Sequence, residues 1–255
     1  MPFELLGFNL RVTVCKIGFS LEQLSSLNFL LHACLYIYLL FCALNTNAQI
    51  NELGVFLGGS NYIGDVGPTD YISPNEPAFG IIYKWNRSSR HSFRFSYYQG
   101  NITSRDIDSD VPGRKLRGYS FKNNIKEFSA GIEFNFLEFD LHDNKNATTP
   151  YVFTGVNHFI YNEIYILGDE SSIDYRHSSF SIPMVVGLKT KLFNNFVIGA
   201  EVGARYTFTD NLDGSNPKND NFETLRFGNQ NSKDWYVFSG FTLTYTFGTA
   251  FLDFV

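Results

Sequence analysis

His177, Ser178 and Ser179 are adjacent, and a His beside a Ser is the pairing that activates a hydroxyl nucleophile when an acid orients the ring. No acid stands at matching spacing nearby, so the trio reads as a polar rim. The run DIDSD sets Asp106, Asp108 and Asp110 in alternation, a spacing that can hold calcium, but the Gly and distal Glu of an EF-hand loop are missing. Asp140, His142 and Asp143 offer one imidazole and two flexible carboxylates, a poor ligand set that reads as a turn. Arg114, Lys115 and Arg117 cluster where they could meet lipopolysaccharide phosphates by charge pairing. With no phosphate-cradling Gly loop, no paired-carboxylate cleft and no Cys or His cluster, the expectation is a protein that is not an enzyme and carries no metal or cofactor.

The remaining charges fall into a pattern. In NFVIGAEVGARYTFT, Asn195 to Thr209, one face is Phe196, Ile198, Ala200, Val202, Ala204, Tyr206 and Phe208, and the other carries Glu201 and Arg205 between small residues. Strict period two means a strand with two unlike faces. In a soluble sandwich the charges would meet water; in a membrane barrel the apolar face meets lipid and the charges turn inward.

Period two recurs over Asn51 to Gly58, Ala78 to Asn86, His91 to Asn101, Asn124 to Phe139, Pro150 to Asn162, Ser178 to Lys191, Asn195 to Thr209 and Asp234 to Phe247. Most reach the ~9 to 11 residues that a tilted strand needs to cross a bilayer. The segments between them alternate long and short without exception, with Asn86 to Arg90 and Leu192 to Asn195 among the short ones, as in barrels whose short turns gather on the periplasmic side. The expected fold is therefore all-β, an eight-stranded antiparallel transmembrane β-barrel in the bacterial outer membrane. Strand five, PYVFTGVNHFIYN, alternates poorly and leaves its facing open.

A lipid-facing Arg or Lys near the midplane costs ~2 to 4 kcal/mol. Parity accordingly sends Glu52, Lys84, Arg94, Glu127, Glu133, Lys189, Glu201 and Arg205 into the lumen, four acids against four bases. Eight strands enclose a space that side chains just fill, so a polar plug of salt bridges is expected and not an open aqueous pore.

Of 255 residues, 17% are aromatic, and the net charge of -5 leaves no footprint for nucleic acid. Cys15, Cys34 and Cys42 all precede Gln49. An apolar run from Phe29 to Leu44 ends in Thr46, Asn47 and Ala48, which suits a secretory leader over residues 1–48 cleaved before Gln49. A spanning helix and a lipidated cysteine are the competing possibilities. The barrel domain is then residues 49–255.

The blocks NELGVFLGGSNYIGDVG, AFGIIYKWNRSSRHSFRFSY, IKEFSAGIEFNFLEFDLHD and TPYVFTGV resemble the PorG-type (DUF6089-like) outer-membrane barrel of the type IX secretion system. The resemblance covers most of the mature chain and is clearest from Asn51 to Val156. It implies a structural component of a protein secretion apparatus, with outer-membrane lipid, lipopolysaccharide and periplasmic secretion-ring proteins as partners, and it transfers no active site. Docking is expected on the periplasmic turns, at Arg87, Arg90, Asp140, His142 and Asp143. The alternatives are a free-standing small barrel for stability, surface interaction or solute passage, and a lipid A-modifying barrel enzyme.

Overall fold

The computed structural model describes residues 50–141, 147–193 and 195–248. The leader, its cleavage point and the candidates His142 and Asp143 lie outside the described residues. Alternating side chains build eight strands: β1 Ile50–Ile63, β2 Glu76–Asn86, β3 His91–Arg105, β4 Ser120–Asn135, β5 Thr148–Leu167, β6 Glu170–Leu192, β7 Phe196–Thr207 and β8 Trp235–Phe247. Each pairs antiparallel with the next, and β8 returns to β1 with Asn51 facing Phe247 and Ile63 facing Trp235, which closes the ring. Closure leaves no unpaired sheet edge, the condition for strands to cross a bilayer. Among the described residues no helix is long and apolar enough to cross a membrane.

The outer surface carries a belt of exposed large apolar residues, among them Leu53, Val55, Leu57, Phe79, Ile81, Phe93, Phe95, Phe128, Ile132, Val186, Leu188, Phe241 and Leu243. Tyr83, Tyr245, Phe247 and Phe196 lie toward the end where both chain termini of the barrel emerge. An apolar exterior around a charged interior inverts a water-soluble protein and is the signature of a lipid-embedded barrel.

Several strands run longer than expected, β1 to Ile63, β3 to Arg105 and β4 from Ser120, and two further differences change the connections. β4 stops at Asn135, and the segment expected to continue it to Phe139 turns beneath the barrel, where Phe139 and Leu141 pack on Val197. The long loop expected between strands five and six is a two-residue turn, because β5 and β6 continue past the membrane as a hairpin around Gly168, whose φ of 77° a side chain rarely adopts. The alternation of long and short connections therefore fails at two places, at β5–β6 and at β4–β5, where residues 136–147 are as many as residues 64–75 of β1–β2. Strand five resolves as well: Tyr151, Phe153, Asn157, Phe159, Tyr161 and Glu163 point inward, and all are buried.

The long connections pack on one another as a cap. In the β3–β4 connection, Asp106 is buried and accepts the Gly67 and Tyr119 amides and two bonds from Arg117. Helix α1, Pro112–Arg117, presents Arg114 to the carbonyls of Gly64 and Gly67. Arg117 also lies over the rings of Tyr119 and Phe227, tying the first, second and last long connections together.

Candidate functional site

The site is the filled lumen. Parity along the strands sets its members: Glu52 faces Lys84 across β1 and β2, Lys84 faces Arg94 across β2 and β3, and Glu201 lies on β7 beyond them. Glu133 is the hub. Its carboxylate takes Lys84 at 2.8 Å, Lys189 at 2.6 Å and Arg94 at 3.4 Å, and all four side chains are at most 2% exposed.

Arg94 bridges to a second carboxylate. Its two terminal nitrogens donate to both oxygens of Glu201 at 2.8 Å, where the hydroxyls of Tyr98 at 2.8 Å and Tyr151 at 2.5 Å also donate. Glu127 forms a third centre with Arg205 at 2.8 Å, Tyr236 at 2.8 Å and Asn157 at 3.3 Å. Glu52 accepts from Thr244 and Asn86. All eight charges singled out by parity thus lie inside, and seven of them form two ion-pair groups. A buried ion is tolerable only when its partners replace water, and these carboxylates are saturated with donors.

Sequence reasoning missed part of this set. Lys191 is buried and donates to the Leu141 carbonyl, and it shares the parity of Lys189, which was sufficient to find it. Tyr151 could not be found without the facing of strand five. Inward glycines make the room: a Cβ on Gly80 would sit 1.9 Å from the Tyr98 ring, and one on Gly187 2.5 Å from that of Tyr151.

The plug is not polar throughout. Toward the long-loop end the lumen is filled by Phe56, Ile82, Ile102, Phe121, Ile125, Phe159 and Phe238, capped by Val66 and Leu212. This corrects the expectation of salt bridges alone. The same inward parity that selects charges low in the barrel selects aromatic and branched residues higher up, where no lipid-facing penalty distinguishes them.

The other candidates are placed as follows. His177 lies within β6, its ring against Tyr161 and Tyr175. Asp106 holds the cap and Asp108 pairs with Arg105, so the acidic run is divided between two structural roles. Arg114 and Arg117 are half-buried and bonded into the cap, while Lys115 is exposed. Among the described residues no group of three or more His, Cys, Asp or Glu side chains could hold a metal ion.

Under the cap sit three buried carboxyls. Asp234 accepts the Tyr62 hydroxyl at 2.5 Å and the Leu212 amide at 2.8 Å, and Asp213 accepts the Ser215 amide at 2.9 Å. Burial, and then the charge of Asp213, pushes Asp234 well above the usual carboxylate range; burial also raises Asp213 and lifts Asp210 to about 6.

At the opposite end, Arg87 lies over the Trp85 ring, while Arg90 bonds the Phe136 carbonyl and pairs with Glu138. Ile50, Arg87, Ser88, Phe139, Asp140 and Leu141 line a cleft of about 90 Å³ there.

Closed strand ring, apolar belt and charged lumen together make this a transmembrane β-barrel of the bacterial outer membrane. A family model described as "Domain of unknown function (DUF6089)" matches residues 31–252. No curated protein matches. Among solved structures, the chain is similar to the attachment invasion locus protein Ail of Yersinia pestis at 13% identity, covering 78% of this chain and 98% of that one, with a TM-score of 0.40. It is also similar to the N-terminal β-barrel domain of Pseudomonas aeruginosa OprF at 14% identity, covering 79% and 100%, TM-score 0.40. A third, the outer membrane protein OprG of Pseudomonas aeruginosa, gives 12% identity, 79% and 96% coverage and a TM-score of 0.41.

Proposed function

The chain belongs to the DUF6089 family, and from that membership and its filled lumen we propose that it is a structural outer-membrane component of a protein secretion apparatus of the type IX kind, anchoring a periplasmic ring complex. One observation supports the mechanical half of this: the lumen is occupied from the charge groups around Glu133 and Glu127 to the apolar layer under Leu212, which favours an anchor over a solute channel. What remains for function is its rims. The secretion half rests on the sequence resemblance to PorG-type barrels.

The docking face is the short-turn end. Arg87 stands exposed beside the cleft under β1, and a leader removed before Gln49 would leave the new N-terminus next to Ile50 on the same rim. Arg90, on the same rim, also bonds the Phe136 carbonyl and pairs with Glu138 where the β4–β5 connection begins.

Affinity purification from detergent-solubilised membranes tests the reading, with periplasmic ring proteins recovered by the wild type and lost from R87E. Recovery unchanged in R87E would overturn the docking face, and no ring protein with the wild type would overturn the secretion role. The second outcome would favour a free-standing surface barrel, for which the β5–β6 hairpin projecting past the membrane speaks.

A further inference from the structure

The lipid-facing wall carries a feature that a uniform hydrophobic belt does not need. Across β2 to β6 the outer surface carries a shallow, open depression of about 800 Å³ lined by Tyr97, Phe128, Ala130, Val156, His158 and Phe180 among others. Its floor is Ala130, a small residue between Phe128 and Ile132 on the outward face of β4. Its walls are aromatic: Tyr97 packs on Phe128, and His158 on Phe180.

At the long-loop end the apolar wall gives way to polar residues over two successive register steps. Phe128 on β4 is followed on the same face by Lys126, which faces Gln99 of β3 and Ile160 of β5; Asn162 of β5 faces Arg176 of β6. The side chains of Lys126 and Arg176 make no hydrogen bond or ion pair with any described residue, whereas Lys122 and Arg105 further out are paired with Glu76 and Asp108. Two unpaired cations therefore stand beyond the apolar wall on strands separated by β5, Lys126 at the next outward position after Phe128 and Arg176 two outward positions after Phe180, with the amides of Gln99, Asn124 and Asn162 on the same rim.

Long connections of such barrels face outward, so this rim lies in the outer leaflet. The geometry points to a binding site for a phosphorylated glycolipid of the lipid A type, with acyl chains in the depression over Ala130 and phosphates at Lys126 and Arg176. Ammonium and guanidinium groups at an apolar boundary bind phosphate oxygens through charge-assisted bonds. Two separated cations and a depression spanning five strands fit a lipid with two phosphates and several chains, where a glycerophospholipid brings one phosphate. The site is independent of the secretion role.

Native mass spectrometry of the detergent-purified barrel, titrated with diphosphoryl lipid A, monophosphoryl lipid A, phosphatidylglycerol or inorganic phosphate, tests this. The wild type is expected to hold one diphosphoryl lipid A, with affinity reduced about tenfold in K126E and in R176E. A130F, which fills the depression without touching the charges, is expected to lose the lipid as well. Every variant changes an outward side chain, and retention of the heat-sensitive electrophoretic shift of the folded barrel verifies that each has folded. Equal binding by K126E and wild type overturns the phosphate site. Phosphatidylglycerol binding as tightly as diphosphoryl lipid A overturns the assignment to a glycolipid, and competition by inorganic phosphate alone reduces the site to an anion contact.

Discussion

Glu133 shows how much rests on a single side chain. One carboxylate neutralises Lys84 and Lys189 and shares Arg94 with Glu201. E133Q keeps the shape and removes the charge, leaving buried cations short of a counter-ion. Breaking a buried pair from one side costs about 3 to 5 kcal/mol, since the desolvation of the survivors is no longer offset. E133Q is therefore expected to shift urea unfolding of the micelle-bound barrel to lower denaturant by an amount of that order. An unchanged midpoint would mean that the hub is solvated and the lumen wet. The parity of Glu133 was legible in the sequence, because IEFN alternates cleanly. Its three partners were not, because they come from β2, β3 and β6, and period two says which face a residue is on without saying what stands across the lumen.

At the scale of elements, the cap is tied together through the β1–β2 connection, whose Gly64, Asp65 and Gly67 bond to Arg114, Arg117 and Asp106 of β3–β4 and, at Asp65, to the Asn229 amide of β7–β8. Asp213 and Asp234 face each other's charge and the Tyr62 hydroxyl, with Asp65, Asp210 and Lys233 around them. Their folded pKa values are raised, so the folded cap holds protons that the unfolded chain releases near pH 4. The stability from this source is full below about pH 4 and is lost as pH rises through about 6 for Asp210, and beyond for the more strongly shifted pair. Protection factors, that is, hydrogen exchange corrected for its intrinsic base catalysis, are accordingly expected to be lower across residues 208–234 at pH 8 than at pH 5. D213N should flatten that difference, and an identical profile in wild type and D213N would sink the assignment. None of this was legible in the sequence, where the segment read only as a loop rich in Gly, Asp and Asn. Its order comes from Leu212 inserting into the barrel mouth and from Tyr165 stacking on Phe222 at 3.9 Å.

For the whole molecule, the decisive feature is that two kinds of filling meet in one cylinder. The two large ion-pair groups occupy the short-turn side, aromatic and branched side chains with the buried Glu163 the long-loop side, and Phe139 with Leu141 closes the base. An eight-stranded barrel is narrow enough for this to be complete. In planar bilayers the purified protein is expected to give no discrete single-channel steps. Regular steps from the wild type would return solute passage to first place among its roles.

The amino-acid order by itself determined which side chains look at lipid and which at the lumen on every strand but the fifth, and with that the barrel, its strand number and eight of its inward charges. The reason is local: a pleated strand alternates its faces, and a membrane penalises a charge on the wrong one. Only the tertiary structure decided how β4 ends, that β5 and β6 run on past the membrane, that Arg114 and Arg117 are bonded into the cap, and that part of the plug is apolar. Each of these depends on a contact between residues far apart in the chain, and such contacts leave no period in the sequence to read.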